Sequence, residues 1–147
     1  MKIKLKQLRK KLQKSRGDRT FIPNRIISIY ITILVIKFTK ISAIQITYFS
    51  LLVALFGCYL IAIGKTWLPA IGVILFWFYS VLDSVDGEVA RFRKTAGPLG
   101  GWVDGSIHPI TYSAMFFSTS YWMFKTTFNV NYIFLGSWLV FILSLIH

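Results

Sequence analysis

The chain has 147 residues, of which 55% are hydrophobic, and its mean hydropathy is +0.61. A soluble domain of this length needs a largely polar surface, so the composition indicates an integral membrane protein. The formal net charge is +12, and no groove-reading helix, zinc pattern or RNA-binding motif accompanies it. We therefore attribute the charge to an anionic membrane surface and expect no nucleic-acid partner.

Residues 1–40 are predicted to form a basic segment at the cytoplasmic surface. Among the lysines of 1–25, three leucines recur at helical spacing: Leu5, Leu8 and Leu12. This pattern fits an amphipathic helix on the leaflet and, equally, a disordered basic tail. The apolar stretch 26–38 is shorter than the roughly 20 residues that a span needs, so we predict an interfacial or re-entrant helix.

Four longer apolar segments follow, and they are predicted to be transmembrane helices. They cover residues 44–63, 67 to about 82, 99–124 and 132–147. The predicted fold is therefore an all-α integral membrane protein, with an N-terminal interfacial helix followed by about four transmembrane helices in a domain of residues 41–147.

The basic residues predict the orientation. If the N-terminus is inside and four crossings follow Lys40, fifteen of the 17 basic residues lie inside, and only Lys65 and Lys125 lie outside. This asymmetry obeys the positive-inside rule. We expect a multi-pass protein of the cell membrane, with its N-terminus and the joint between the second and third spans in the cytoplasm.

That joint carries four of the five acidic residues. Asp83 and Asp86, three positions apart, share one helix face, and Asp104 and His108, four apart, share a face of the next helix. A hairpin through a loop of Gly97, Pro98, Gly100 and Gly101 can bring the two faces together. Converging carboxylates repel one another, and a bound Mg²⁺ or Mn²⁺ relieves the repulsion. The fourth acid, Glu88, projects away and is expected to be a solvated or structural charge.

Small residues and one arginine surround the acids. Gly87, Ala90 and Gly100 leave room for a bulky ligand, and Arg91 carries a planar guanidinium that matches phosphate oxygens. A metal, a phosphate-binding group and open space are the requirements of phosphoryl transfer.

The cluster also resembles the signature of the CDP-alcohol phosphotransferases, also called CDP-alcohol phosphatidyltransferases. That signature reads D-x-x-D-G-x-x-A-R, seven or eight residues, then G-x-x-x-D-x-x-x-D. Seven of its eight fixed positions are matched: Asp83, Asp86, Gly87, Ala90, Arg91, Gly100 and Asp104. More weakly, residues 41–57 with Thr47 resemble the family's first transmembrane helix, and residues 25–40 its interfacial helix.

The resemblance implies a role for each matched position. Asp83, Asp86 and Asp104 would bind two divalent ions, and Gly87, Ala90, Arg91 and Gly100 would surround the cytidine nucleotide. An acceptor alcohol would attack the β-phosphorus of a CDP-alcohol in the membrane and release CMP, as in phospholipid biosynthesis. Family members are commonly dimers, so a homodimer is also expected.

Two departures from the family leave alternatives open. His108 stands in place of the fourth aspartate. Three roles are open for it: general base, metal ligand, or a packing residue at the helix start. The family has about six transmembrane helices, so the C-terminal helices are expected to be missing here. A catalytically degenerate or truncated membrane partner and a divalent-cation-binding membrane protein are the alternative functions.

Overall fold

The computed structural model describes residues 22–146, and within them it contains five α-helices and no strand. The helices are α1 (Ile22–Phe38), α2 (Ala43–Ile63), α3 (Leu68–Arg93), α4 (Pro98–Thr127) and α5 (Asn131–Ile146). The prediction of an all-α fold is confirmed. The leucines and lysines of the predicted basic helix lie outside the described residues.

Two of the predicted spans have the length and hydropathy of membrane-crossing helices. These are α2 and α3, with 21 and 26 residues. The α5 helix is apolar but has only 16 residues, and α4 has 30 residues but contains more polar side chains. This composition is that of a membrane protein, and spans at α4 and α5 stay predictions.

Local sequence signals explain where the helices begin and end. A capping box opens α2, in which Gln45 N donates to Ser42 Oγ at 3.2 Å and Ser42 N donates to Gln45 Oε1 at 2.8 Å. Gly64 ends α2 with a left-handed φ of 68°, which glycine adopts without strain. Pro98 lies in the first turn of α4, where its missing N–H costs no hydrogen bond.

The turn between α3 and α4 is shorter than the sequence predicted. It comprises residues 94–97, and Gly100 and Gly101 belong to the first turn of α4 instead of the loop. The fixed φ of Pro98 starts the helix before these glycines. Both glycines line the cavity described below.

Two glycines allow the backbones of α2 and α3 to approach closely. A Cβ added at Gly57 would lie 2.8 Å from the carbonyl oxygen of Gly72, and a Cβ at Gly72 would overlap the carbonyl oxygen of Gly57. Small residues at a helix contact favour this close packing in membranes. The α2–α3 contact is the most extensive in the structure, while α4 packs on α2 and α5, and α1 packs on α3.

A buried polar row joins α1 to α3. Ser28 Oγ donates to Glu88 Oε1 at 3.0 Å, and Thr32 Oγ1 donates to Glu88 Oε2 at 2.7 Å. One turn before Ser28, Asn24 Nδ2 donates to Ser80 Oγ at 3.0 Å. Only 2% of Glu88 is exposed, so its expected solvated role is wrong and its structural role is supported. Its carboxylate faces α1, away from the other acids.

Arg93 connects the end of α3 to the segment between α1 and α2. Its Nη1 donates to Lys40 O at 2.9 Å and its Nη2 donates to Thr39 O at 2.9 Å. From the sequence, Arg93 is expected to help set the orientation in the membrane, with contact to a substrate phosphate as the alternative. The contacts also fix the segment that leads to Ser42 and Ala43, which line the cavity described below.

Candidate active site

Three metal-ligand side chains from two helices meet at the joint between α3 and α4. They are Asp83, Asp104 and His108, and one ligand atom from each lies within 4.8 Å of the others. His108 Nε2 is 3.5 Å from Asp83 Oδ1 and 3.7 Å from Asp104 Oδ1. The predicted convergence of the two helix faces is therefore present for these three residues.

The donor set fits a divalent cation. Asp104 Oδ1 is buried, and it has no hydrogen-bond partner among the described residues. A buried carboxylate oxygen without a donor is costly, and a cation would supply the missing interaction. Carboxylates are ordinary ligands for Mg²⁺ or Mn²⁺, and an imidazole is a common ligand of transition metals. Asp83, Asp104 and His108 are thus the residues that could hold the metal.

Asp86 lies beside this cluster and not within it. Its Oδ2 accepts a hydrogen bond from Thr47 Oγ1 of α2 at 2.6 Å, and the aspartate is 6% exposed. The carboxylate lines the same cavity as Asp104. Asp86 is therefore oriented by α2 toward the space where a ligand could bind, and its second oxygen is not engaged by Thr47.

His108 is held on its other side by two hydroxyl groups. Its Nδ1 lies 2.9 Å from the Tyr79 hydroxyl, and Thr111 Oγ1 lies 3.1 Å from the same hydroxyl. Tyr79 is 1% exposed and Thr111 is fully buried. The aromatic ring of Tyr112 stacks on the imidazole at 5.9 Å between centroids. His108 thus has a defined orientation, with Nδ1 toward the core and Nε2 toward the carboxylates.

A cavity of about 500 Å³ opens beside the acids, between α2, α3 and α4. This volume is within the range of small-molecule binding sites. Its lining includes the four residues predicted to surround the nucleotide: Gly87, Ala90, Arg91 and Gly100. The four residues therefore lie on one continuous surface, contributed by α3 and by the first turn of α4.

The glycines keep this surface open in two ways. A Cβ at Gly87 would lie 3.4 Å from Nη1 of Arg91, so the guanidinium rests over the glycine backbone. A Cβ at Gly100 would meet no atom within 4 Å, because it would project into open space. Gly87 thus accommodates the arginine, and Gly100 leaves volume in the cavity.

Sequence reasoning missed Tyr79 and Thr111 as parts of the site. In the sequence, Tyr79 belongs to the aromatic run of residues 76–79, which is expected to contact lipid and the core rather than a cofactor, and in the structure Tyr79 is buried. Its spacing held a signal, because Tyr79, Asp83 and Asp86 follow one another at i, i+4 and i+7 on one helix face. Thr111 lies three residues after His108 on α4, so the two side chains share a helix face.

Comparison with known proteins gives one family for nearly the whole chain. The family model described as CDP-alcohol phosphatidyltransferase matches residues 22–146, from the first residue of α1 to the last of α5. A comparison with curated proteins gives no significant match. The matched segment covers most of the chain and includes every candidate site residue. The chain belongs to the CDP-alcohol phosphatidyltransferase family.

Proposed function

We propose that this protein transfers a substituted phosphate group from a CDP-alcohol to an alcohol acceptor, with release of CMP. The family assignment supports a transferase of this general kind. The observation that carries the proposal is the adjacency of two features: the Asp83–Asp104–His108 cluster and the cavity that Asp104 also lines. A metal site beside a nucleotide-sized cavity suits the cleavage of a pyrophosphate.

Asp83 and Asp104 would hold divalent metal through their carboxylates, and Asp86 would complete the set from the cavity side. Asp104 Oδ1, which is buried and accepts no hydrogen bond from any residue of 22–146, supports this assignment. Bound Mg²⁺ or Mn²⁺ supplies positive charge that offsets the charge developing on phosphate oxygens. The carboxylates are contributed by helices and not by loops, which keeps their relative positions fixed as the reaction proceeds.

The cavity would bind the cytidine end of the donor. Gly87, Ala90 and Gly100 present little more than backbone there, so a planar base can approach closely. Arg91, in the same wall, offers guanidinium N–H groups for phosphate or base oxygens. The donor's pyrophosphate would then lie between Arg91 and Asp104, at the edge of the metal site.

The proposed step is a substitution at phosphorus. The acceptor oxygen forms a bond to the phosphorus that carries the alcohol group, and the bond from that phosphorus to the CMP oxygen breaks. The bonding electron pair leaves with CMP, and the acceptor's proton passes to a base of the site, for which the sequence predicts His108. Both predicted roles of His108, base and metal ligand, need an unprotonated Nε2 that faces Asp83 and Asp104.

The test is CMP release by the purified chain in lipid vesicles, with a panel of CDP-alcohols and acceptor alcohols. We expect release with Mg²⁺ or Mn²⁺, loss of release in EDTA, and recovery when the metal is restored. Recovery shows that EDTA removed a cofactor and did not unfold the protein. Absence of release across the panel would instead favour the catalytically degenerate reading.

The same proposal places the N-terminus and the site in the cytoplasm of a multi-pass membrane protein that acts as a homodimer. In intact cells, an impermeant thiol reagent is expected to label Lys65→Cys, in the turn before α3, and not Lys94→Cys, in the turn after it. Native Cys58 is buried and gives little background. If only Lys94→Cys were labelled, the orientation would be the opposite of the proposed one, with the site outside the cell.

A further inference from the structure

The fixed orientation of His108 has a chemical consequence at the metal site. Where the family signature has an aspartate, this chain has the imidazole of His108, and two tyrosine rings pack against it. Tyr79 lies at its edge, with ring centroids 6.3 Å apart, and Tyr112 stacks on its face. Side chains held this tightly present one nitrogen to the site in one direction, as metal-ligating histidines commonly do.

The hydroxyl groups of Tyr79 and Thr111 support either tautomer of His108. Thr111 Oγ1 lies within 3.1 Å of three acceptors: the Tyr79 hydroxyl, Ile107 O and His108 O. When Thr111 donates to Tyr79, the Tyr79 O–H can donate to Nδ1, and Nε2 then carries the proton. When Thr111 donates to a carbonyl, its oxygen can accept from Tyr79, and Tyr79 can accept from Nδ1–H. Nε2 then has a free lone pair, and the Tyr79 hydroxyl, the Thr111 hydroxyl and His108 Nδ1 each still have a partner.

We propose that Tyr79 and Thr111 are positioning residues that hold His108 Nε2 toward Asp83 and Asp104 and permit the tautomer in which Nε2 is unprotonated, so that this chain's metal site contains an imidazole ligand and prefers Mn²⁺ to Mg²⁺. The inference rests on the proposed function, because it concerns the same metal site. A set made only of carboxylates suits Mg²⁺, which binds oxygen almost exclusively. Replacing one carboxylate by a neutral imidazole adds a nitrogen donor, and this change favours a transition metal over Mg²⁺.

The ligand role and the base role exclude each other for one nitrogen atom. A lone pair that binds the metal cannot also accept the proton of the acceptor alcohol. With His108 as a ligand, that proton passes instead to a carboxylate of the site, such as Asp86 in the cavity wall. Nδ1 offers no substitute, because it lies against the buried Tyr79 hydroxyl. Detecting the bond from Nε2 to the metal therefore decides between the two roles that the sequence predicts.

The experiment is pulsed EPR of the full chain in lipid, loaded with less than one equivalent of Mn²⁺, together with Mn²⁺ titration in competition with Mg²⁺. We expect ¹⁴N modulation from a bound imidazole in the native protein and its loss in His108→Asp, which restores the family's residue. We also expect Mg²⁺ to displace Mn²⁺ from His108→Asp at a lower concentration than from the native protein. Tyr79→Phe should weaken Mn²⁺ binding by about 10-fold, the lower end of the usual effect of losing a hydrogen bond to a metal-ligating histidine.

Tyr112→Phe is the matched control. It removes a tyrosine hydroxyl from the other ring that contacts His108 and keeps the stacking, so ¹⁴N modulation and Mn²⁺ affinity should be unchanged. Equal weakening in Tyr79→Phe and Tyr112→Phe would overturn the positioning role. CMP release is measured on the same samples. Mn²⁺-dependent release without ¹⁴N modulation would overturn this inference and leave the proposed function standing, whereas failure of both Mn²⁺ binding and CMP release would overturn both.

Discussion

Asp104→Asn is expected to reduce metal-dependent CMP release by roughly 10²- to 10³-fold, the loss typical when one preorganised electrostatic group is removed from an active site. The substitution keeps the size of the side chain and removes its negative charge. Because Asp104 Oδ1 has no hydrogen-bond partner among the described residues, the asparagine breaks no hydrogen bond of that oxygen. The variant should therefore keep its fold and lose its metal ligand, and Mn²⁺ titration should show weaker binding.

Ser106→Ala is the control for Asp104→Asn. Ser106 lies two residues further along α4, and its hydroxyl donates only to the helix carbonyl of Trp102, at 2.8 Å. A surface change of this kind alters free energies by about 0.5 kcal/mol or less, so activity should stay within about twofold of the native value. If Asp104→Asn kept native CMP release and native Mn²⁺ affinity, the assignment of Asp104 as a metal ligand would be wrong.

The convergence of Asp83, Asp104 and His108 could be predicted because it depends on local geometry. Residues three or four positions apart share a helix face, and a short turn between two helices brings neighbouring faces together. The fold class followed from apolar run lengths by the same kind of reasoning. These features need no knowledge of distant contacts, so the sequence was sufficient for them.

Glu88 illustrates what the sequence could not supply. Helix periodicity placed it correctly on a different face from Asp83, but periodicity does not say what covers that face. The partner is α1, whose polar side chains recur every fourth position: Asn24, Ser28 and Thr32. Reading 26–38 only as a short apolar stretch overlooked this row. A regular polar row in an apolar helix indicates a polar partner, since an unpaired hydroxyl in such surroundings is costly.

Arg93 and Tyr79 were missed because both have ordinary explanations in a membrane protein. An arginine at a cytoplasmic helix end fits the positive-inside rule, and a tyrosine in an aromatic run fits core packing. In the structure, Arg93 also donates to the carbonyls that follow α1, and Tyr79 also contacts His108. One residue can follow a general rule and also make a specific contact. Only the tertiary structure reveals the specific contact.

Gly100→Leu is expected to raise the KM for the CDP-alcohol by roughly 10-fold or more, with a smaller change in kcat. Gly100 lines the cavity, and a Cβ there meets no atom within 4 Å, so the leucine side chain projects into space that the nucleotide needs. Crowding of a ligand by a side chain of this size costs about 1–3 kcal/mol, as in an overpacked core, and each 1.4 kcal/mol is a factor of ten in binding.

Gly105→Leu is the matched control, because it makes the same change on the same helix. A Cβ at Gly105 also meets no atom within 4 Å, and this residue is exposed and not among those that line the cavity. Both variants replace a helical glycine by a good helix former, so neither should lose stability. The KM of Gly105→Leu should be native. Equal KM values in the two leucine variants would show that the cavity beside Gly100 does not bind the donor. This conclusion would hold even if Asp104→Asn is inactive. The nucleotide would then have to approach the metal site from another side.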